Sequence, residues 1–355
     1  MSIRVFIVDD SAVVRTVLTA MLKEISGIDV IGTAQDPIYA QARMEKDWPD
    51  VIILDVEMPR MDGLTFLKKI MAERPTPVVM CSTLTEEGSK TSLQALRIGA
   101  IDVVAKPKTN LKVSLSEASQ ELVSAIRTAA KANMAAAKPK KIMPIPKVAA
   151  KLTADAMLSK ATNRNVHKTG SLIAIGASTG GTQALEAVLT ALPANTPPIL
   201  IVQHMPEKFT ETFANRLNEL CKVEVKEAED NDALLPGRVL IARGGKHMML
   251  HTTQFGASVQ VKDGPLVSRH KPSVDVLFRS VSKYAGGNAL GIIMTGMGDD
   301  GARGIKEMHD TGAKTIAQNE ATCVVYGMPQ EAVKLGAIDY EIPLNKIPEM
   351  IVSHK

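Results

Sequence analysis

Two sets of residues in this chain have the types and positions to do chemistry. In the first third, Asp9 and Asp10 follow one apolar run, Asp55 closes another, and Ser82 and Lys106 close two more. Three carboxylates gathered in one mouth repel each other, so they call for a cation or a proton. An all-oxygen set suits a hard ion such as Mg2+. With the ion in place, one carboxylate can accept a phosphoryl group while Lys106 balances the added charge. Taken singly, each aspartate reads as a helix or turn cap. Taken together at strand ends, they read as a site.

The second set begins in "LIAIGASTGGTQAL", Leu172 to Leu185. Here Ser178 sits in a G-x-S-x-G pattern, Gly176 to Gly180. Such a turn serves as a phosphate cradle, as a packing turn, or as an elbow that holds a serine at a helix N-terminus. There, backbone N–H groups and the helix dipole favour developing negative charge. A dinucleotide site wants a glycine where Ser178 stands and an acid at the end of the following strand. That strand ends instead in Gln203-His204. His204 is one of seven histidines. His247, His251 and His270 lie in less regular sequence, while His167, His309 and His354 fall in linker, helix-like and tail sequence. A third run, "LGIIMTGMGDDGA", delivers Asp299 and Asp300. A serine, a histidine and an aspartate at the ends of three buried strands make a Ser-His-Asp triad. The order Ser, His, Asp differs from the Ser, acid, His order of the α/β-hydrolases.

The elements that must hold these residues alternate. Strand-like "VFIV", "DVIGTA", "VIILD", "PVVMCS" and "DVVAK" are separated by amphipathic stretches such as Val14, Val17, Leu18, Met21, Leu22 and Ile25. Five βα units predict a parallel sheet covered on both faces over residues 1–130. From 131 to 168 the chain is rich in Ala, Lys and Pro, with prolines at 139, 144 and 146, and reads as a linker. From 169 to 355 alternation returns with "SLIAIG", "PPILIVQH", "RVLIAR" and "ALGIIMTG", a second α/β domain. The fold class is therefore α/β with two doubly wound parallel sheets, flavodoxin-like and then Rossmann-like.

Composition narrows the function. The 355 residues are 45% hydrophobic and 23% charged, with 3% aromatics and a net charge of +4. That charge and so few aromatics argue against nucleic-acid binding. Three scattered cysteines, Cys81, Cys221 and Cys323, fit a reducing cytosol rather than a disulfide frame or a zinc site. The first residues do not read as a signal peptide, and no apolar run is long enough to span a membrane. A cytoplasmic protein without direct membrane insertion is expected.

The motifs resemble two families. "VDDSAVVR", "ILDVEMPRMDG", "VVMCSTLT" and "GAIDVVAKP" are similar to a response-regulator receiver domain. That resemblance implies Asp55 as phosphoacceptor, Asp9, Asp10 and Asp55 as holders of Mg2+, and Ser82 and Lys106 as readers of the phosphate. Receivers often carry an aromatic switch residue near the position of Val103, so the usual Tyr/Phe rotamer change is lacking here. "IAIGASTGGTQAL", "VQHMP", "TGMGDDGARG" and "AQNEATCVVYGMPQEAV" resemble the catalytic domain of the chemotaxis protein-glutamate methylesterases, the CheB family. That resemblance implies Ser178 as nucleophile, His204 as general base, Asp300 as the orienting acid and Met297 as an oxyanion-hole donor. Thr179 is a second donor candidate, because the residue after a nucleophile commonly gives its N–H.

The implied activity is demethylation of glutamyl methyl esters, with deamidation of glutamines, on methyl-accepting chemotaxis receptors. No cofactor is expected for the esterase reaction. A chemotaxis histidine kinase would be the phosphodonor, and phosphorylation would release a receiver that packs over the active-site mouth. Two other classes compete. A receiver-linked scaffold would carry a vestigial triad. A transcription regulator would need a helix-turn-helix and a basic face, and the second half shows βα alternation instead.

Overall fold

The computed structural model describes residues 2–56, 58, 61–82, 91, 94–96, 98–106, 112–132, 152–160, 170–207, 209–253 and 256–354. The chain divides into two compact units, Met1–Ala137 and Lys138–Lys355.

The first unit is a five-stranded parallel sheet in the order β2-β1-β3-β4-β5. Its strands are β1 (Ile3–Val8), β2 (Ile28–Ala34), β3 (Val51–Asp55), β4 (Val78–Ser82) and β5 (Asp102–Ala105). Every residue of β3 is buried, as expected of a strand covered on both faces. Helices start where short polar side chains satisfy orphan N–H groups. Ser11, Asp36 and Asp62 cap the helices Ala12–Lys23, Pro37–Met44 and Gly63–Glu73. A further helix, Lys112–Ala129, follows β5. The helical reading of "EEGSKTSLQALRIGA" falls in part outside the described residues.

The second unit holds a seven-stranded parallel sheet in the order β14-β13-β12-β6-β7-β9-β8. Four of its strands match the apolar runs of the sequence: β6 (Leu172–Ala177), β7 (Ile199–Gln203), β9 (Arg238–Ile241) and β12 (Ala289–Ile293). The structure adds β8 (Glu224–Glu227), β13 (Lys314–Gln318) and β14 (Tyr340–Ile342), which are short or charge-flanked and carry little pattern. It also adds an antiparallel pair outside this sheet, β10 (His247–Thr253) with β11 (Gly256–Lys262). His247 therefore opens a strand and is fully buried, which corrects its reading as irregular sequence. The core joins the sheet to β10 and to helix Val274–Tyr284, through Leu172, Leu200, Leu250, Leu277, Phe278 and Ile293.

Of the stretch read as linker, residues 133–151 and 161–168 lie outside the described residues. Residues 152–160 pack on the second unit, with Ala154 buried against Met249, Val267 and Val276. Cys81 and Cys323 are buried free thiols, and Cys221 is half-buried. No helix among the described residues is long and apolar enough to cross a membrane.

Gly176, the first glycine of the serine turn, is required by close packing. A Cβ there would fall inside contact distance of Val274 and 3.2 Å from Phe278 Cζ. Gly176→Ala is expected to destabilise the second unit by roughly 1–3 kcal/mol, the range for overpacking a filled core. Chemical denaturation measures it.

Candidate functional site

Ser178, His204 and Asp300 follow β6, β7 and β12. These are neighbours in the sheet, with β7 on one side of β6 and β12 on the other. Winding reverses at this point, and open α/β sheets leave a crevice there beyond their carboxyl ends.

Asp300 is fully buried. It does not cap the helix that follows it, Ala302–Asp310, whose N-cap is Gly301. It serves the N-terminus of helix Val274–Tyr284, whose own N-cap residue Ser273 makes no side-chain cap bond. Oδ1 accepts from Ser273 Oγ at 2.8 Å and from the Asp275 N–H at 3.1 Å. Oδ2 accepts from the Val274 N–H at 2.8 Å and from His204 Nε2 at 2.8 Å. Burial alone would push this carboxyl up. The His204 hydrogen bond and charge, with the Ser273 bond, hold it below the usual carboxylate range as an anion. Asp275, buried beside it, is pushed up by burial and by the Asp300 charge. Asp299 is only half-buried.

Because Asp300 takes Nε2, the nitrogen left for proton transfer is Nδ1, which is buried and has no hydrogen-bond partner. The serine-protease template uses the two nitrogens the other way round.

The serine turn is tied down by its backbone. The Ser178 N–H donates to Thr295 O at 3.0 Å, and its carbonyl accepts from the Gly181 N–H at 2.7 Å. Gly180, at φ +77, is the N-cap of helix Gly181–Thr190. Gln203 Nε2 donates to Ser178 O at 3.0 Å and to His204 O at 3.1 Å, so one buried amide joins two strand ends. In the sequence alone, Gln203 marks only the absence of a ribose-binding acid. Thr179 is buried, and its carbonyl accepts from Thr295 Oγ1 at 2.9 Å. Met297 follows Gly296, where an added Cβ would lie 2.7 Å from Ser178 Cβ. Thr179 and Met297 thus stand on the two segments that flank Ser178.

His270 is the histidine that sequence reasoning passed over. Its ring stacks on His204 with centroids 3.7 Å apart and planes 4° apart. Its Nδ1 pairs with Ser268 O at 2.9 Å and lies 3.9 Å from Asp300 Oδ2. No periodicity marks it, since it lies in a loop between β11 and a helix. His204, His270 and Asp300 are close enough to suggest a metal set. Stacked rings, however, hold their lone pairs in parallel planes. An ion at about 2.0–2.1 Å from both nitrogens would then sit far out of each plane.

In the first unit, Asp9, Asp10 and Asp55 bring carboxylate oxygens within 4.8 Å of one another. Lys106 Nζ lies 3.0 Å from Asp9 Oδ2 and 2.7 Å from Asp55 Oδ2. Both oxygens are buried, and neither accepts a hydrogen bond of good geometry. Burial pushes the Asp55 carboxyl up to about 6, against the pull of Lys106. A set of three carboxylates balanced by a single lysine, all of its donors oxygen, fits a hard divalent cation. Ser82 ends β4 opposite Ala105, and its side chain lies outside the described residues. Val103 is buried in β5.

Residues 173–351 match the family model described as CheB methylesterase, and residues 5–115 match that of the response regulator receiver domain. The chain is 60% identical over 360 residues to protein-glutamate methylesterase/protein-glutamine glutaminase 2 of Chromobacterium violaceum, covering 99% of each. It is also 60% identical over 353 residues to protein-glutamate methylesterase/protein-glutamine glutaminase 1 of Pseudomonas savastanoi pv. phaseolicola, covering 99% of this chain and 98% of that one. Among solved structures, the Thermotoga maritima CheB methylesterase catalytic domain aligns with a TM-score of 0.50 at 36% identity, over 52% of this chain and 98% of that chain.

Two predictions follow from the geometry. Asp300→Asn keeps one acceptor oxygen but turns an NH2 toward donors that the carboxylate binds, and it no longer fixes the imidazole tautomer, so turnover should fall by roughly 10^4-fold, the loss for a triad acid changed to its amide, with a lowered Tm. Steady-state kinetics with circular dichroism checks this. Metal-free Asp55 has a raised folded pKa, so its ionisation costs the first unit stability as pH rises from about 4 to about 6. Mg2+ should offset that cost only where the carboxylate is ionised. At tenfold excess over Kd it should add about 1.4 kcal/mol at pH 7.5 and far less at pH 5, read as a shift in Tm.

Proposed function

The chain belongs to the family of CheB methylesterases that carry a response regulator receiver domain, and from that premise we propose that it is a phosphorylation-activated serine hydrolase of glutamyl methyl esters on chemotaxis receptors. The observation that carries the proposal is the buried His204–Asp300 pair at 2.8 Å, which leaves Nδ1 unpartnered at the sheet edge where Ser178 follows β6.

In the first half-reaction His204 Nδ1 takes the Ser178 proton as Oγ attacks the ester carbonyl carbon. The C–O π pair moves to oxygen, and the Met297 and Thr179 backbone N–H groups receive the oxyanion. Asp300 stabilises the imidazolium without taking its proton. Collapse breaks the bond to the methoxy group, which leaves as methanol with the proton from His204. Water then attacks the acyl-enzyme with His204 again as base, leaving a glutamate carboxylate and restoring Ser178. A glutamine side chain follows the same path with ammonia as leaving group. Both related proteins are named for these two activities. The esterase steps use only these side chains and backbone groups.

Regulation rests on the first unit. Asp55 accepts a phosphoryl group from a histidine kinase of the chemotaxis system; Asp9, Asp10 and Asp55 would hold Mg2+, which would supply positive charge to balance the phosphoryl oxygens. Ser82 and Lys106 then read the phosphate. With Val103 in place of an aromatic, the signal leaves by another route than a ring flip. Substrate glutamates lie on the cytoplasmic helices of the receptors, so the protein works in the cytoplasm. Residues 131–168 serve as the connection between regulator and enzyme.

The test is methanol release from methylated receptor membranes, with and without acetyl phosphate. Release should accelerate with the phosphodonor, lose that response in Asp55→Asn, and fall by roughly 10^4-fold or more in Ser178→Ala. A folded Ser178→Ala protein with near-normal turnover would overturn the assignment.

A further inference from the structure

The loop 264–273 needs support from outside itself. Ser268 and Arg269 adopt left-handed backbone at φ 49 and φ 71. Neither is glycine, so the Cβ of each strains the backbone there. Within the loop, Val267 and His270 exchange two backbone bonds at 3.1 and 2.8 Å. From the helix that follows, Asp275 Oδ2 accepts from Ser268 Oγ at 2.8 Å. From β10, buried His247 bonds Pro265 O at 2.9 Å and accepts from the Ser273 N–H at 3.2 Å. Lys271 adds bonds from its Nζ to Gly264 O and to Asp263, and its carbonyl accepts from the Gly245 N–H. Further support comes from far away in sequence. The Ser268 N–H donates to Leu152 O at 2.9 Å. Met157 lies against Gly264, where a Cβ would displace its sulfur.

That distant segment is itself well anchored. Residues 152–160 form a single 3-10 turn, Ala154–Ala156, flanked by irregular chain. Ala154, only 4% exposed, sits among Met249, Val267 and Val276. Arg279, 3% exposed, donates to Asp155 Oδ1 at 2.8 Å and to Leu158 O at 3.1 Å. Two more of its N–H groups bind Glu307 at 2.8 and 2.6 Å, which fixes the guanidinium plane.

What the loop presents is the orientation of the base and its acid. His270 stacks on His204, and Ser273 Oγ binds Asp300. We infer that residues 152–160 are a positioning strap for the esterase reaction: by holding Ser268 and Gly264 they keep His270 against His204. The inference rests on the esterase reading of Ser178, His204 and Asp300, and it assigns a task to chain that composition marks as a tether. Freed of the strap, Ser268 would give its N–H to water and relax its backbone, and the His270 ring would leave the face of His204.

The test uses the full-length protein with saturating acetyl phosphate, so that phosphorylation does not limit the rate. Ala154→Glu places a carboxylate in the small apolar cluster and should release the strap. Ala154→Ser is the conservative control. Two readouts are taken: kcat and KM for methyl-ester hydrolysis, and amide hydrogen exchange over 152–160 and 264–273. Ala154→Glu should speed exchange in both segments and lower kcat roughly tenfold or more, the scale of a misplaced catalytic group. KM should stay within about twofold, because substrate binding is untouched. Ala154→Ser should match the parent in both readouts. If exchange rises at 152–160 while 264–273 and kcat stay as in the parent, the inference is overturned. Should Ala154→Glu fail to fold, Asp155→Ala removes one anchor from an exposed side chain and is held to the same criteria. Failure of the esterase reading shows separately, as turnover retained in Ser178→Ala.

Discussion

One carboxylate organises the second unit. Asp300 has no access to water, yet it is charged, and that is tolerable only because four donors converge on it. Three come from the first residues of one helix and its N-cap, where the dipole favours an anion. The fourth is His204. The same ion therefore seats helix Val274–Tyr284 against the sheet and fixes the imidazole tautomer. Removing it would leave buried N–H groups without partners as well as a histidine without orientation, so the site and the packing beneath it are one interaction.

The neighbouring Asp275 shows how such a centre is kept from self-repulsion. Its own acceptors are filled by the Gly304 N–H at 2.8 Å and by Ser268 Oγ. Its carboxyl is pushed up while Asp300 is held down. Two carboxyl groups in one desolvated space divide the charge unequally, and the one beside the imidazole keeps it. In the first unit the problem has another solution: Lys106 stands between Asp9 and Asp55 and pairs with one buried oxygen of each.

Much of the architecture was legible because buried parallel strands are continuous apolar runs. "VIILD", "LIAIGA" and "ALGII" announce themselves, and polar residues just beyond them must lie at one edge of a sheet. Adjacency of β12, β6 and β7 follows only from the observed strand order. Other parts had no one-dimensional signal. β13 and β14 are short and charge-flanked. His270 and Ser273 belong to a loop whose shape depends on contacts far along the chain. Gln203 acts through an amide that no motif records. Asp299 and Asp300 are equivalent to sequence physics and differ only in burial. Composition identified 131–168 as irregular, but irregular chain can still be docked, as Ala154 and Asp155 are.

The crossover winding has a consequence in time. His204 and Asp300 meet across 96 residues, and both lie beyond the whole of the first unit. Domains fold as units, N-terminal first, while a chain is still being made. The five-stranded sheet with Asp55 is complete before the seven-stranded one has β12, the neighbour of its central strand β6. On a nascent chain the regulator exists before there is any hydrolytic activity to regulate. A ribosome-bound chain that stops short of β12 carries a finished receiver, and a Ser178 and His204 that still lack Asp300.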